Sequence, residues 1–271
     1  MRIENITSAQ NPKIRLLIEL QEKSRARRRE RLFITEGRRE LEHCLAAGYM
    51  PHTVFLCSDI LGNDAADGFV RQFSGSDVNL IDIPKQLYEK VAYRGGTEGI
   101  IAEVHARNHG LEDIKLGENA LVVVLESVEK PGNLGAVLRS ADAAGADAVI
   151  ICDPLTDLYN PNLIRSSIGA AFTVQTAAAS SEDTIKWLKE KGIRIYTAQL
   201  QDSEWYYDTD MTGSSAIIMG TESTGLTGIW RKAADAHIKI PMLGRLDSLN
   251  VSVSAAILLY EAVRQRNSHC K

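Results

Sequence analysis

From residue 120 onward, short apolar runs alternate with stretches of helical spacing. Runs at 121–125, 148–152, 193–196, 216–219 and 237–240 read as strands. Three of them are continuously apolar, the pattern of parallel strands buried on both faces. Between and after them, 134–144, 161–171, 182–191, 226–234 and 250–266 read as helices. Regular β/α alternation predicts a parallel sheet with right-handed crossovers. Upstream the pattern is looser. Ile14, Leu17, Ile18 and Leu20 mark a helix over 12–22. A strand at 32–35 leads into a helix over 36–47, closed near Gly48. Segments 53–57, 78–83 and 99–104 are further strand candidates, and Pro84 is expected at the first position of a helix reaching Val91. The chain thus reads as two α/β domains, 1–107 and 118–271, with a polar linker over 105–117.

Composition adds little until it is resolved along the chain. Hydrophobic content of 44% and charged content of 24% are those of a soluble globular protein. Cys44, Cys57, Cys152 and Cys270 form no C-x-x-C pair, and no His cluster has ligand spacing, so neither a metal site nor a disulfide framework is expected. The first residues are polar and charged and no apolar run reaches the length of a span, so a cytoplasmic protein without membrane contact is expected. The net charge of −4 hides a basic start: residues 1–39 hold eleven Lys/Arg against five Asp/Glu. Arg25, Arg27, Arg28, Arg29 and Arg31 crowd into seven residues. Arginine forks grip phosphate oxygens, so this run is a candidate RNA-binding surface, against the alternative of a merely solvated face.

Three strand-to-helix turns carry the candidate chemistry. They read Asn133-Leu-Gly-Ala-Val-Leu-Arg139, Gly220-Thr-Glu-Ser-Thr-Gly-Leu226 and Ser248-Leu-Asn-Val-Ser252. Neither G-x-G-x-x-G nor G-x-x-x-x-G-K-[ST] is present, which counts against a dinucleotide or ATP enzyme. In an open α/β sheet, ligands bind where such turns gather, at the carboxyl ends of the strands. Gly220 is expected to be Gly because a Cβ there would intrude on a bound ligand. Asn250 is placed to cap the final helix.

Together the three blocks resemble those of the SpoU/TrmH branch of the SPOUT methyltransferases, which 2′-O-methylate RNA ribose with S-adenosylmethionine. The resemblance implies a knotted (trefoil) catalytic domain over 118–271 and a small L30e-like substrate-binding domain over 1–107. It implies cofactor contacts around Gly220, Thr221, Ile240, Met242, Ser248 and Leu249, although Ile240 and Leu249 would suit an ordinary core equally well. It places Arg139 at the reacting hydroxyl, about one turn into the first helix, with Asn133, Glu222, Ser248 and Asn250 as further polar site residues. Free arginine is a poor base, so Arg139 is read as polarising the 2′-hydroxyl and holding a phosphate. The proton acceptor stays open. Family members dimerise through the final helix, whose apolar residues occupy more than one face, and a homodimer is expected. The basic two-domain layout favours ribosomal RNA over tRNA as substrate. An enzyme of another class and a non-catalytic RNA-binding module are the alternatives.

Overall fold

Asn11 and Pro12 begin the first helix: the Asn11 side chain accepts the Lys13 amide, and Pro12 fills a first-turn position that needs no donor. In the computed structural model, which describes residues 3–93, 98–221 and 224–268, this is α1 (Pro12–Glu22). It follows β1 (Glu4–Asn5) and precedes α2 (Ser24–Glu30), β2 (Leu32–Glu36), α3 (Arg38–Ala46) and β3 (Pro51–Leu56). Then come α4 (Ser58–Leu61), α5 (Asn63–Gln72), β4 (Asn79–Asp82), α6 (Lys85–Val91) and β5 (Ile100–His105). Pro84 stands just before α6 rather than at its first position. The five strands form a mixed sheet in the order β1-β4-β3-β5-β2, with β5 antiparallel to both neighbours. Residues alternate between two cores: Ile34, Phe55 and Ile81 meet Leu17 and Leu20 of α1, while Phe33, Val54 and Leu80 meet Leu41 and Phe69.

This first unit comprises Met1–Arg107 and also Leu158–Phe172, a segment that the sequence groups with the second domain. Aromatic packing accounts for it. Tyr159 stacks on Phe33 at 4.2 Å between centroids and its hydroxyl accepts the Arg107 amide, while Phe172 meets the edge of Tyr49.

The basic run folds as α2, and one arginine leaves the candidate set. Arg27 is 4% exposed, and its Nη1 donates to the carbonyls of Leu20 and Gln21 at 2.6 and 3.1 Å. It serves the orphan carbonyls ending α1 instead of facing solvent. Arg25, Arg28, Arg29 and Arg31 remain exposed. Arg27→Ala would strand those carbonyls, so a loss of about 2–3 kcal/mol is expected, read as a lower urea midpoint. Arg28→Ala should stay within about 0.5 kcal/mol.

The second unit, Asn108–Asp157 with Thr173–Lys271, is built on seven strands. The chain continues as β6 (Leu121–Glu126), α7 (Pro131–Ala143), β7 (Ala148–Cys152), α8 (Pro161–Ser167), α9 (Ala170–Thr173), β8 (Gln175–Ala179) and α10 (Ser181–Glu190). It ends with β9 (Arg194–Ala198), β10 (Glu204–Trp205), β11 (Ser215–Met219), α11 (Gly228–Ala233), β12 (Ala236–Lys239) and α12 (Val251–Ser268). All pairings are parallel, in the order β10-β12-β9-β11-β6-β7-β8. The central β6 and β11 are buried throughout. Where one helix was expected over 161–171, Ile168 and Gly169 adopt φ of 52° and 95° and split it. α7 starts at Pro131, so Asn133 and Gly135 lie within the helix and Arg139 falls in its third turn. Arg266 fastens α12 by donating to the carbonyls of Asn119, Ala120, Met211 and Gly213. No helix among the described residues is long and apolar enough to cross a membrane, and no three His/Cys/Asp/Glu among them could hold a metal ion.

Candidate active site

Strands β9, β11 and β12 lie near one another and run parallel, so their carboxyl ends share one sheet edge. A cavity of about 330 Å³ opens there. Residues 198–201 at and beyond the end of β9, 219–221 at and beyond the end of β11, and Lys239, Ile240 and Met242 at the end of β12 wall it, with 247–249 closing from the α12 side. Gly220, Thr221, Ile240, Met242, Ser248 and Leu249 all line it. Ile240 and Leu249 are not core residues here, Leu249 being 37% exposed.

Gly220 is required, but for a different reason from the one expected. A Cβ on it would fall 2.3 Å from the Gly225 carbonyl and 2.7 Å from the Leu226 nitrogen. The obstacle is the protein's own returning turn, not a ligand. That turn is closed by Gly225 N–H donating to the Thr221 carbonyl at 3.1 Å and Thr224 N–H to the Thr221 hydroxyl at 3.0 Å. Just beyond it, the Thr227 amide and hydroxyl donate to Glu126 at 2.8 and 2.6 Å. Glu126 is a buried carboxylate at the end of β6, so it ties this loop to the strand that leads into α7. Glu222 lies outside the described residues.

A second cavity, about 230 Å³, shares Gly220, Thr221 and Val251 with the first and adds Val128, Glu129, Lys130 and Asn133. Asn250 Nδ2 donates to Asn133 Oδ1 at 3.2 Å. Its own Oδ1 accepts the Ser252 amide at 3.0 Å. Asn250 therefore both caps α12 and bridges to the first motif. The Ser248 hydroxyl donates to Asp247 at 3.3 Å. Arg139 is not brought to this group: it is exposed on α7 and lines neither cavity. Six residues at 3.6 per turn rotate it roughly 120° away from Asn133. Among the described residues Asp142 accepts from Thr173 and does not hold Arg139.

Sequence reasoning missed Gln199, Arg231, Ser254 and Leu258, which also line the larger cavity. Hydrophobic periodicity identifies β9 but not its place beside β11 and β12. Glu129 and Lys130 had a signal, as polar residues directly before Pro131, just upstream of the first motif. The larger cavity joins apolar walls (Met219, Leu226, Ile238, Leu258) to a few polar groups (Gln199, Thr221, Asp247). Such a lining suits a flat heterocycle carrying hydroxyl and ammonium groups.

Residues 120–260 match the SpoU rRNA Methylase family and residues 11–102 an MRM3-like substrate binding domain. The chain is 38% identical over 196 residues to the 23S rRNA (guanosine-2′-O-)-methyltransferase RlmB of Vibrio vulnificus (strain CMCP6), spanning 70% of this chain and 79% of that one. A solved RNA 2′-O ribose methyltransferase aligns at 38% identity with a TM-score of 0.81, covering 97% of this chain and 99% of its own. An AdoMet bound rRNA methyltransferase from Sinorhizobium meliloti aligns at 28% identity with a TM-score of 0.86, over 97% and 98%.

Proposed function

This chain belongs to the SpoU rRNA methylase family, and from that premise we propose that it transfers the methyl group of S-adenosylmethionine to a ribose 2′-hydroxyl in ribosomal RNA. The observation that carries this reading is the convergence of three separate loops. Gly220, Ile240 and Ser248 line one cavity, and Asn133 lines a second that shares the Gly220–Thr221 wall. Because the two cavities share Gly220, Thr221 and Val251, a methyl donor in the larger one would meet a ribose in the smaller one directly, where they adjoin.

When bound, S-adenosylmethionine would supply an electrophilic methyl to the ribose oxygen and leave as the neutral thioether, with the hydroxyl proton passing to solvent. The chain's part is positional. Residues at the ends of β9, β11 and β12 would hold the cofactor, and the close backbone turn at Gly220 shapes the edge that the two cavities share. Asn250 and Asn133 fix the third loop to the first, and Glu222 is assigned to orienting the loops. Arg139, exposed on α7 outside both cavities, is assigned by the family resemblance to polarising the hydroxyl and gripping the adjoining phosphate, which the bound RNA would bring to it. A positioned donor of this kind gains most of its effect from orientation. The first unit, read as an L30e-like domain, holds RNA through Arg25, Arg28, Arg29 and Arg31.

The same reading includes a cytoplasmic homodimer and a trefoil knot in the 118–271 domain. Dimerisation through the second unit is supported by exposed apolar residues, Leu243 at 98%, Leu246 at 79% and Tyr260 at 50%. The knot is supported by the family relationship and by the packing of α12 against both α7 and β11. Calorimetry on the full chain tests the cofactor assignment directly. S-adenosylmethionine should bind without competition from NAD, and NAD binding in its place would refute the assignment. For the basic helix, replacing Arg25, Arg28, Arg29 and Arg31 with Ala should flatten the salt dependence of RNA affinity by roughly three to four log-log units. Single-turnover rate at saturating RNA should hold. An unchanged salt slope would return the run to a solvated face.

A further inference from the structure

A cavity within the first unit shares no lining residue with the two cavities of the second. It holds about 210 Å³, less than the ~300–1,000 Å³ typical of clefts for drug-sized ligands, and so suits one base rather than a nucleotide. Buried Ile34 and Ile164 form its apolar lining.

Local sequence sets its polar rim. β2 ends at Glu36, and Gly37 takes a φ of +103°, where side chains are rarely tolerated. α3 then begins, with Glu40 in its first turn. A Cβ on Gly37 would lie 2.8 Å from Glu40 Oε2 and 3.7 Å from Glu98 Oε2, so two carboxylates converge on the space that glycine leaves open. Glu98 accepts the Arg38 amide at 2.5 Å and Glu36 accepts the Tyr93 amide at 2.9 Å. Glu40 has no such backbone duty among the hydrogen bonds of the described residues.

Tyr93 supplies a flat wall. Asn162 Nδ2 donates to its hydroxyl at 2.9 Å, and the Arg165 guanidinium stands 5.5 Å from its ring centroid, itself held by Asn162 Oδ1 at 2.8 Å. Yet Tyr93 is 44% exposed. A ring fastened at its amide, hydroxyl and one flank but left open is a preformed stacking surface.

Among the described residues that line it, three carboxylates (Glu36, Glu40, Glu98) stand against one guanidinium (Arg165), a balance that disfavours a phosphate and favours a group rich in donors. Among the RNA bases only guanine presents two adjacent donors, N1–H and N2–H, on its Watson–Crick edge, matching the two oxygens of one carboxylate. Adenine and cytosine offer one amino donor beside a ring acceptor, and uracil offers a single N–H. Proteins read unpaired RNA bases by just such edge contacts combined with aromatic stacking. We propose that this cavity binds an unpaired guanine of the substrate RNA, its Watson–Crick edge on Glu40 and its ring against Tyr93. The proposal rests on RNA being the substrate, and this guanine is distinct from the target nucleotide, whose ribose belongs at the cavities of the second unit.

The test titrates GMP and AMP into the full chain by calorimetry with S-adenosylmethionine saturating, which keeps nucleotides out of the larger cavity. GMP should bind at least tenfold tighter than AMP. Glu40→Gln should abolish that preference, and Tyr93→Ala should weaken both nucleotides alike. In methyl transfer to rRNA, Glu40→Gln should raise KM for RNA several-fold while kcat and cofactor affinity hold. Equal binding of GMP and AMP, or a preference that survives Glu40→Gln, overturns the guanine site even where methyl transfer is intact. A Glu40-dependent GMP preference in a chain that methylates no RNA supports the guanine site and refutes the activity instead.

Discussion

Arg139→Ala should lower the single-turnover rate of methyl transfer by roughly 10²–10⁴, the range for a positioned proton-transfer group, and leave S-adenosylmethionine affinity nearly unchanged. The two halves of this expectation rest on different observations. Affinity should hold because Arg139 stands in the third turn of α7 and lines neither cavity. The rate should fall because the role given to Arg139 needs a planar fork on both hydroxyl and phosphate: α7 contains no other Lys/Arg, and Lys130, which lines the smaller cavity, is a point charge. Arg139→Lys should recover little, since a point charge cannot reproduce a planar two-pronged donor. Transfer of labelled methyl to rRNA, with cofactor affinity measured in parallel, checks both. A variant that keeps most of its rate, or that loses cofactor binding first, would place the role of Arg139 elsewhere.

Gly220→Ala should damage the other half of the site. Its new Cβ would lie 2.3 Å from backbone atoms of Gly225, which cannot swing aside as a side chain would. The turn must open, moving Thr221 and the wall that both cavities share. Overpacking of this kind costs about 1–3 kcal/mol, and where cofactor binding has to restore the turn that cost becomes roughly 5- to 150-fold in affinity. Gly228→Ala is the control, since a Cβ there meets nothing within 4 Å. Cofactor titration of both variants decides it. Equal affinities for the two would mean that the Gly220 turn does not shape the cofactor site.

Much of this arrangement was legible in the sequence, and the failures have physical causes. Continuous apolar runs mark β6, β7 and β11 because parallel strands covered on both faces need apolar residues at every position. β8 escaped because Gln175-Thr-Ala-Ala-Ala179 carries small and polar residues on a half-buried edge strand. The start of α7 was misjudged because Gly132 and Gly135 suggested a loop, whereas Pro131 in the first turn was the better signal. Arg27 could not be told from its neighbours by charge, since its burial depends on how α1 turns into α2. The placement of Tyr159 and Phe172 against Phe33 is a long-range pairing with no local signature. For the site, the family resemblance named six residues that line one cavity. Strand order, which brings Gln199 and Leu200 to the same place, is carried by no periodicity.

The most direct test of the central claim is the chemical position of the transferred methyl. Unmodified ribosomal RNA is incubated with the full chain and methyl-labelled S-adenosylmethionine, then digested to nucleosides and, separately, hydrolysed with alkali. The label should run with a 2′-O-methylated nucleoside, and the adjoining phosphodiester should resist alkali, because its 2′-oxygen can no longer attack. Label on a base, or no transfer to rRNA by a chain that binds S-adenosylmethionine, would contradict ribose methylation of ribosomal RNA.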